Sequence, residues 1–119
     1  MKTCNIFPVI LLSALVLTLS GCTKHIDPVR IPACITGIIR QKQAEPKTNP
    51  PATVEQWKVD GQTYYYITSD CCDQYNNLYD ENCNYVCAPD GGLSGNGDHN
   101  CPDFTGPIEK TIVWTDKRQ

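Results

Sequence analysis

Apolar positions recur along the chain in three rhythms, and each predicts a different element. From Ile6 to Leu19 no residue is charged, and only Pro8, Ser13 and Thr18 interrupt the apolar run. That is shorter than the ~20 residues of a membrane-crossing helix and has the length of an export-signal core. Ile31, Ile35, Ile38 and Ile39 follow on one helical face, with Cys34 beside it. Pro32 suits a first helical turn and Pro46 stops the run, so a helix is predicted over about 32–44. Beyond the rigid Asn49-Pro50-Pro51 connection, two β-rich runs, 53–59 and 62–68, flank Asp60-Gly61, a strong hairpin signal. A two-residue turn fixes their register: Val59 opposes Gln62, Trp57 opposes Tyr64, Glu55 opposes Tyr66 and Val54 opposes Ile67. One face then carries Trp57, Tyr64 and Tyr66, the other Val54, Tyr65 and Ile67.

The second strand is expected to continue toward Cys71 and Cys72, with one thiol on each face. Residues 84–88 and 110–115 supply further strands, the last alternating Ile112 and Trp114 against Thr111 and Val113. A Gly-, Asp- and Asn-rich loop from Pro89 to Pro107 separates them. It is long for so small a domain, and hence a candidate functional segment. The expected fold is α+β: one N-terminal helix on a small antiparallel sheet of three to four strands, stapled by disulfides.

The start of the chain changes the picture first. Lys2 precedes the apolar run, and Leu19-Ser20-Gly21-Cys22 follows it. These residues resemble the lipobox of bacterial lipoproteins, in which an aliphatic and two small residues precede a cysteine that takes a diacylglyceryl thioether before cleavage. The resemblance implies a signal peptide over 1–21, a lipidated tether over 22–31 and one disulfide-rich domain over 32–117. It also implies acyl chains, palmitate among them, on Cys22; two or three give stable anchoring where one is marginal. Thr23 stands where an aspartate would signal inner-membrane retention, so an outer-membrane location is expected. His25 lies in the tether and reads as solvated.

Once 1–21 is removed, nine basic and thirteen acidic residues remain, a net charge of about −4. Nucleic acid is excluded as a partner, since phosphate binding needs clustered Lys and Arg. Between Val59 and Glu109 there is no Lys or Arg, yet nine acidic residues. Local ion pairs cannot account for them; a solvated acidic face, a cation site or a contact for a basic partner are the readings left open.

Cys34, Cys71, Cys72, Cys83, Cys87 and Cys101 remain after Cys4 leaves with the signal and Cys22 takes lipid. Six cysteines in an oxidising compartment predict three disulfides with no free thiol. Neighbouring Cys71 and Cys72 should point apart and take different partners, a bridge between them requiring a strained ring. Short loops favour Cys72 with Cys83 and Cys87 with Cys101, leaving Cys34 with Cys71 to tie helix to sheet. A zinc site built on Cys83, Cys87, His99 and Cys101 is the rival, but the two-pair spacing of a zinc ribbon is missing.

Cys71-Cys72-Asp73, Leu78-Tyr79-Asp80-Glu81-Asn82-Cys83, Cys87-Ala88-Pro89-Asp90-Gly91-Gly92, Gly97-Asp98 and Cys101-Pro102-Asp103-Phe104 together resemble an uncharacterised domain of small bacterial lipoproteins. The resemblance runs over about 34–117 and implies no activity. A fainter similarity to Kazal-type protease inhibitors rests on Cys87, Asp90, Gly91 and Asn96. Leu93 and Ser94 replace that family's Thr-Tyr pair, and Cys101 comes three residues late.

Candidate chemistry is sparse. His99 is the one histidine outside the tether, no serine sits in a nucleophile-elbow sequence, and no Cys-x-x-Cys is present, so an enzyme is not expected. Asp90, Asn96, Asp98, Asn100 and Asp103 form the candidate binding loop. Asn96, Asp98 and Asn100 repeat the first alternate ligands of an EF-hand, after which Cys101 stands where glycine is required, so no cofactor is expected and calcium is kept as the alternative to plain turns. The expected function is a non-enzymatic, lipid-anchored binding or structural module of the cell envelope, meeting an envelope protein or glycan. Protease inhibition and a calcium-binding loop are the alternatives.

Overall fold

The computed structural model describes residues 29–119; the signal-peptide and lipidation readings, Cys22 and His25 among them, lie outside the described residues. Among the described residues one helix, α1 (Ala33–Ala44), precedes five strands: β1 (Thr53–Val59), β2 (Gln62–Ile67), β3 (Tyr75–Asp80), β4 (Tyr85–Gly91) and β5 (Glu109–Thr115). The strands form one antiparallel sheet in the order β4-β3-β2-β1-β5. The fold is therefore mostly β with one short helix, and the expectation of three to four strands is corrected to five. Among the described residues no helix is long and apolar enough to cross a membrane.

The helix and the first hairpin form as their residue patterns dictate. Val54, Glu55, Trp57 and Val59 of β1 pair with Ile67, Tyr66, Tyr64 and Gln62 of β2. Asp60 and Gly61 take φ of 51° and 75°, the turn geometry that follows the twist of the strands. Ile35 and Ile39 of α1 pack with Val54, Tyr65 and Ile67, and Ile31 and Ile38 join from the rim. The opposite face gathers Trp57, Tyr66, Leu78 and Cys87, with Tyr64, Cys101 and Phe104 against them. Helix covers one side of the sheet and the Gly-Asp loop the other, so both faces are buried.

Three expectations fail here for local reasons. β3 escapes the sequence pattern because it contains Asn76 and Asn77, and asparagine is depleted in strands. Both amides find partners inside the sheet region: Ser69 N–H donates to Asn76 Oδ1 (2.7 Å), and Asn77 donates to the Tyr79 hydroxyl (3.3 Å). In β5 the simple alternation is broken by a bulge opposite Val54/Glu55, which brings Val113 and Trp114 to the same helix-side cluster and leaves Ile112 exposed. Finally, β2 ends at Ile67, so Cys71 and Cys72 lie on an exposed turn and bond to each other. The rule that neighbours point apart applies to extended chain, and this stretch is not extended.

The other bridges are Cys34–Cys83, with Cα atoms 6.2 Å apart, and Cys87–Cys101, at 5.0 Å. Cys87–Cys101 is as expected. Cys83 turns toward the helix because it sits at positive φ in the β3–β4 turn, where its N–H donates to Asp80 O and its side chain packs on the α1 cluster. Zinc would need Cys83, Cys87 and Cys101 as thiolates, whereas all three are held in disulfides. At the far end, the Arg118 guanidinium donates to the carbonyls of Lys42, Gln43 and Glu45 and pairs with buried Asp116. The helix's unpaired C-terminal carbonyls are thus satisfied by the end of the chain.

Candidate functional site

The largest concavity that gathers predicted site residues lies on the loop-covered face, about 440 Å³ in volume. Phe104, Ile108 and Pro89 supply apolar wall, while Asp90, Asn96, His99 and Lys110 bring polar groups to it. Such a mixture, apolar with a few convergent polar groups, is what small-ligand sites present. Its floor is Trp57, stacked on Tyr66 with ring centroids 5.0 Å apart. Lys110 reaches it because β5 pairs with β1 and sets Lys110 opposite Trp57; its ammonium stands 4.1 Å from the indole centroid, a cation–π contact. The indole N–H donates to Glu55 Oε2 (2.8 Å), which fixes the ring from the other side.

Of the five predicted loop residues, Asp90 and Asn96 line this cleft; Asp98, Asn100 and Asp103 do not. Asp90 lies near the end of β4, where its carboxylate accepts from the Tyr66 hydroxyl (2.8 Å) and from the Asn76 amide (2.7 Å). Burial and the adjoining carboxylate push the Tyr66 phenol well above its ordinary value. Asp98 accepts from the Tyr85 hydroxyl and from Asn100 N–H (3.0 Å). The two carboxylates named for calcium are therefore each committed to holding the fold, Asp90 strand to strand and Asp98 loop to sheet, and among the described residues no three His, Cys, Asp or Glu side chains converge as a metal set. Leu93, which with Ser94 departs from the Kazal-type pattern, is 90 % exposed at the tip of a tight turn closed by Gly95 N–H to Gly92 O (3.1 Å).

The acidic stretch resolves the same way. Asp60 accepts from the N–H groups of Thr105 and Gly106, and Asp80 from the Asn84 side-chain amide and the N–H groups of Asn84 and Asn82; these bonds hold both carboxyls below their ordinary value. Asp70 pairs with Lys42 of the helix at 2.8 Å. Backbone amides and one distant lysine thus satisfy Asp60, Asp70 and Asp80, three carboxylates of the stretch that have no local cation. Sequence reasoning missed Trp57, Phe104 and Lys110 as one site. The aromatic face of the hairpin was visible, but its lysine cap requires knowing that β5 pairs with β1.

The Tyr85–Asp98 bond has a pH signature. The phenol's hydrogen bond holds Asp98 down at about 2, and the same bond pushes Tyr85 up to about 12. A depressed carboxyl stabilises the fold above its unfolded value, and that contribution is lost as pH falls toward 2. A raised phenol contributes below its unfolded value, and loses it as pH rises toward 12. Tyr85→Phe is expected to return Asp98 toward the ordinary carboxylate range, read from its carboxyl carbon by NMR titration. An unmoved Asp98 titration would mean that the bond does not form in solution.

A family model described as a domain of unknown function, DUF6970, matches residues 40–116. No curated protein and no solved structure matches the chain.

Proposed function

The chain belongs to the DUF6970 family, and since that family has no assigned function, we propose from its own residues that it is a lipid-anchored module of the bacterial cell envelope that binds a partner rather than catalysing a reaction. The observation that carries this reading is the pairing of all six described cysteines. Three disulfides suit an oxidising compartment outside the cytoplasm. Leu19-Ser20-Gly21-Cys22 supports the anchor, with lipid on Cys22 and an outer-membrane location favoured by Thr23. The cleft over Trp57 supports binding, because it offers an apolar wall with Asn96, His99 and Lys110 placed to orient a polar envelope ligand, a glycan or the edge of a protein.

Metabolic labelling with a fatty-acid probe tests the anchor. Wild type should take label and fractionate with membranes, whereas Cys22→Ala should take none and accumulate with residues 1–21 still attached, since no other residue there supplies the thioether. Equal labelling of the two would overturn the proposal.

A further inference from the structure

Three disulfides hold this domain, but they differ in what they hold. Cys34–Cys83 joins residues 49 apart and Cys87–Cys101 residues 14 apart. Cys83, Cys87 and Cys101 all pack on the two core clusters. Cys71–Cys72 closes no loop of chain, its sequence separation being 1, so it removes little entropy from the unfolded state. Both its residues are exposed, and neither belongs to a core cluster. The turn that carries them is fixed by other bonds: Gln74 N–H to Cys71 O (3.1 Å), Gly92 N–H to Gln74 O (3.0 Å) and Ser69 N–H to Asn76 Oδ1 (2.7 Å).

We propose that Cys71–Cys72 is a thiol–disulfide exchange site, reduced by a neutral or cationic dithiol while the rest of the fold stays intact. Exposed disulfides that the fold does not depend on are the labile ones. The pair forms part of the wall of a cavity of about 280 Å³, shared with Asn49, Pro50 and Gln74, which gives an incoming sulfur room beside it. A donor thiolate attacks one Sγ, the Sγ–Sγ bond breaks, and the other Sγ leaves as a thiolate that takes a proton from water. The donor's second thiol then attacks the mixed disulfide and releases the first cysteine. In sum the donor dithiol loses two electrons and two protons and becomes a disulfide, and the pair gains both. Selectivity comes from charge: Asp70 and Asp73 flank the pair, and with Lys42 offsetting only Asp70 the turn keeps one net negative charge, so an anionic thiolate-bearing donor is repelled. Lys42, the cation that reaches this turn, is held by Asp70. Exchange here is independent of what the cleft over Trp57 binds.

The full chain in non-ionic detergent is treated with limiting dithiothreitol, quenched by alkylation at intervals and mapped by peptide mass. Cys71 and Cys72 should be labelled at least about tenfold faster than the other four described cysteines, with the far-ultraviolet circular dichroism unchanged. Cysteamine should outpace mercaptoethanesulfonate several-fold at low salt, and the gap should shrink as salt screens the carboxylates. A Cys71→Ser/Cys72→Ser variant should lose the fast phase and keep both slow bridges. Simultaneous reduction of all three bridges, a fast phase surviving in that variant, Cys71 and Cys72 joined to other cysteines in the unreduced map, or equal rates for the two charged thiols would each overturn the proposal.

Discussion

Replacing Cys34 and Cys83 together by serine is expected to lower the stability of the domain by about 4 kcal/mol, the largest loss of any crosslink in it. Cross-linking residues 49 apart removes that much loop-closure entropy from the unfolded chain in the entropic account, against a total of about 5–15 kcal/mol for a small domain. Cys34 is exposed and Cys83 half-buried, so serine itself fits at both positions and the loss reports on the bridge. The physical consequence is specific. α1 has 12 residues, a length that is marginal in isolation. Without the bridge it stays on the sheet through Ile35, Ile38, Ile39, the Lys42–Asp70 pair and the Arg118 contacts. Chemical denaturation checks this: the midpoint should fall with little change in slope. A loss under about 1 kcal/mol would mean that the unfolded chain is already compact enough to make the bridge redundant.

How far the fold could be read from the residues depended on whether local pattern or long-range pairing decided each element. α1 and the β1–β2 hairpin are local problems. Four isoleucines at helical spacing and an Asp-Gly turn were enough, and the pairing of Trp57 with Tyr64 and of Glu55 with Tyr66 came out as the turn required. β3 is in part a long-range problem, since the Asn76 and Asn77 amides are satisfied in a strand by Ser69 N–H donating to Asn76 Oδ1, by the Tyr79 hydroxyl accepting from Asn77 and by Asp90, from another strand, accepting from Asn76. The bulge in β5 and the capture of Cys83 by the helix are of the same kind. The site was legible in proportion. Asp90 and Asn96 were found from loop composition, but Lys110 enters only through the β1–β5 register. Asp90, Asp98 and Asp60, for which a cation site was one of the open readings, are acceptors for Tyr66, Tyr85 and backbone amides, partners that no local sequence pattern marks.

Alanine at Gly97 is expected to cost far more than alanine at Gly95, although the two glycines are two residues apart in the same loop and have nearly the same backbone angle. Their φ values are 69° and 75°, so both substitutions carry the penalty of a left-handed residue, about 1–2 kcal/mol. At Gly95 a Cβ meets nothing within 4 Å, and the cost should stop there. At Gly97 it would lie 2.0 Å from Ala88 O and 2.9 Å from Asp90 N, both backbone atoms that cannot rotate away. The loop must then lift off β4, giving up the bonds from Gly97 N–H to Gly91 O (3.1 Å) and from Asp98 N–H to Ala88 O (3.0 Å). Overpacking of this kind adds about 1–3 kcal/mol, for a total of roughly 2–5. Cys87–Cys101 keeps the lifted loop tethered, so the domain should remain folded while hydrogen exchange at the Gly97 and Asp98 amides accelerates. Asn96 and His99 would move with the loop and open the cleft over Trp57, so immobilised Gly97→Ala domain should retain less envelope material than Gly95→Ala. Equal destabilisation by the two alanines would show that the loop does not rest on β4. Equal retention, with the exchange at Asp98 raised, would place the binding surface elsewhere on the domain.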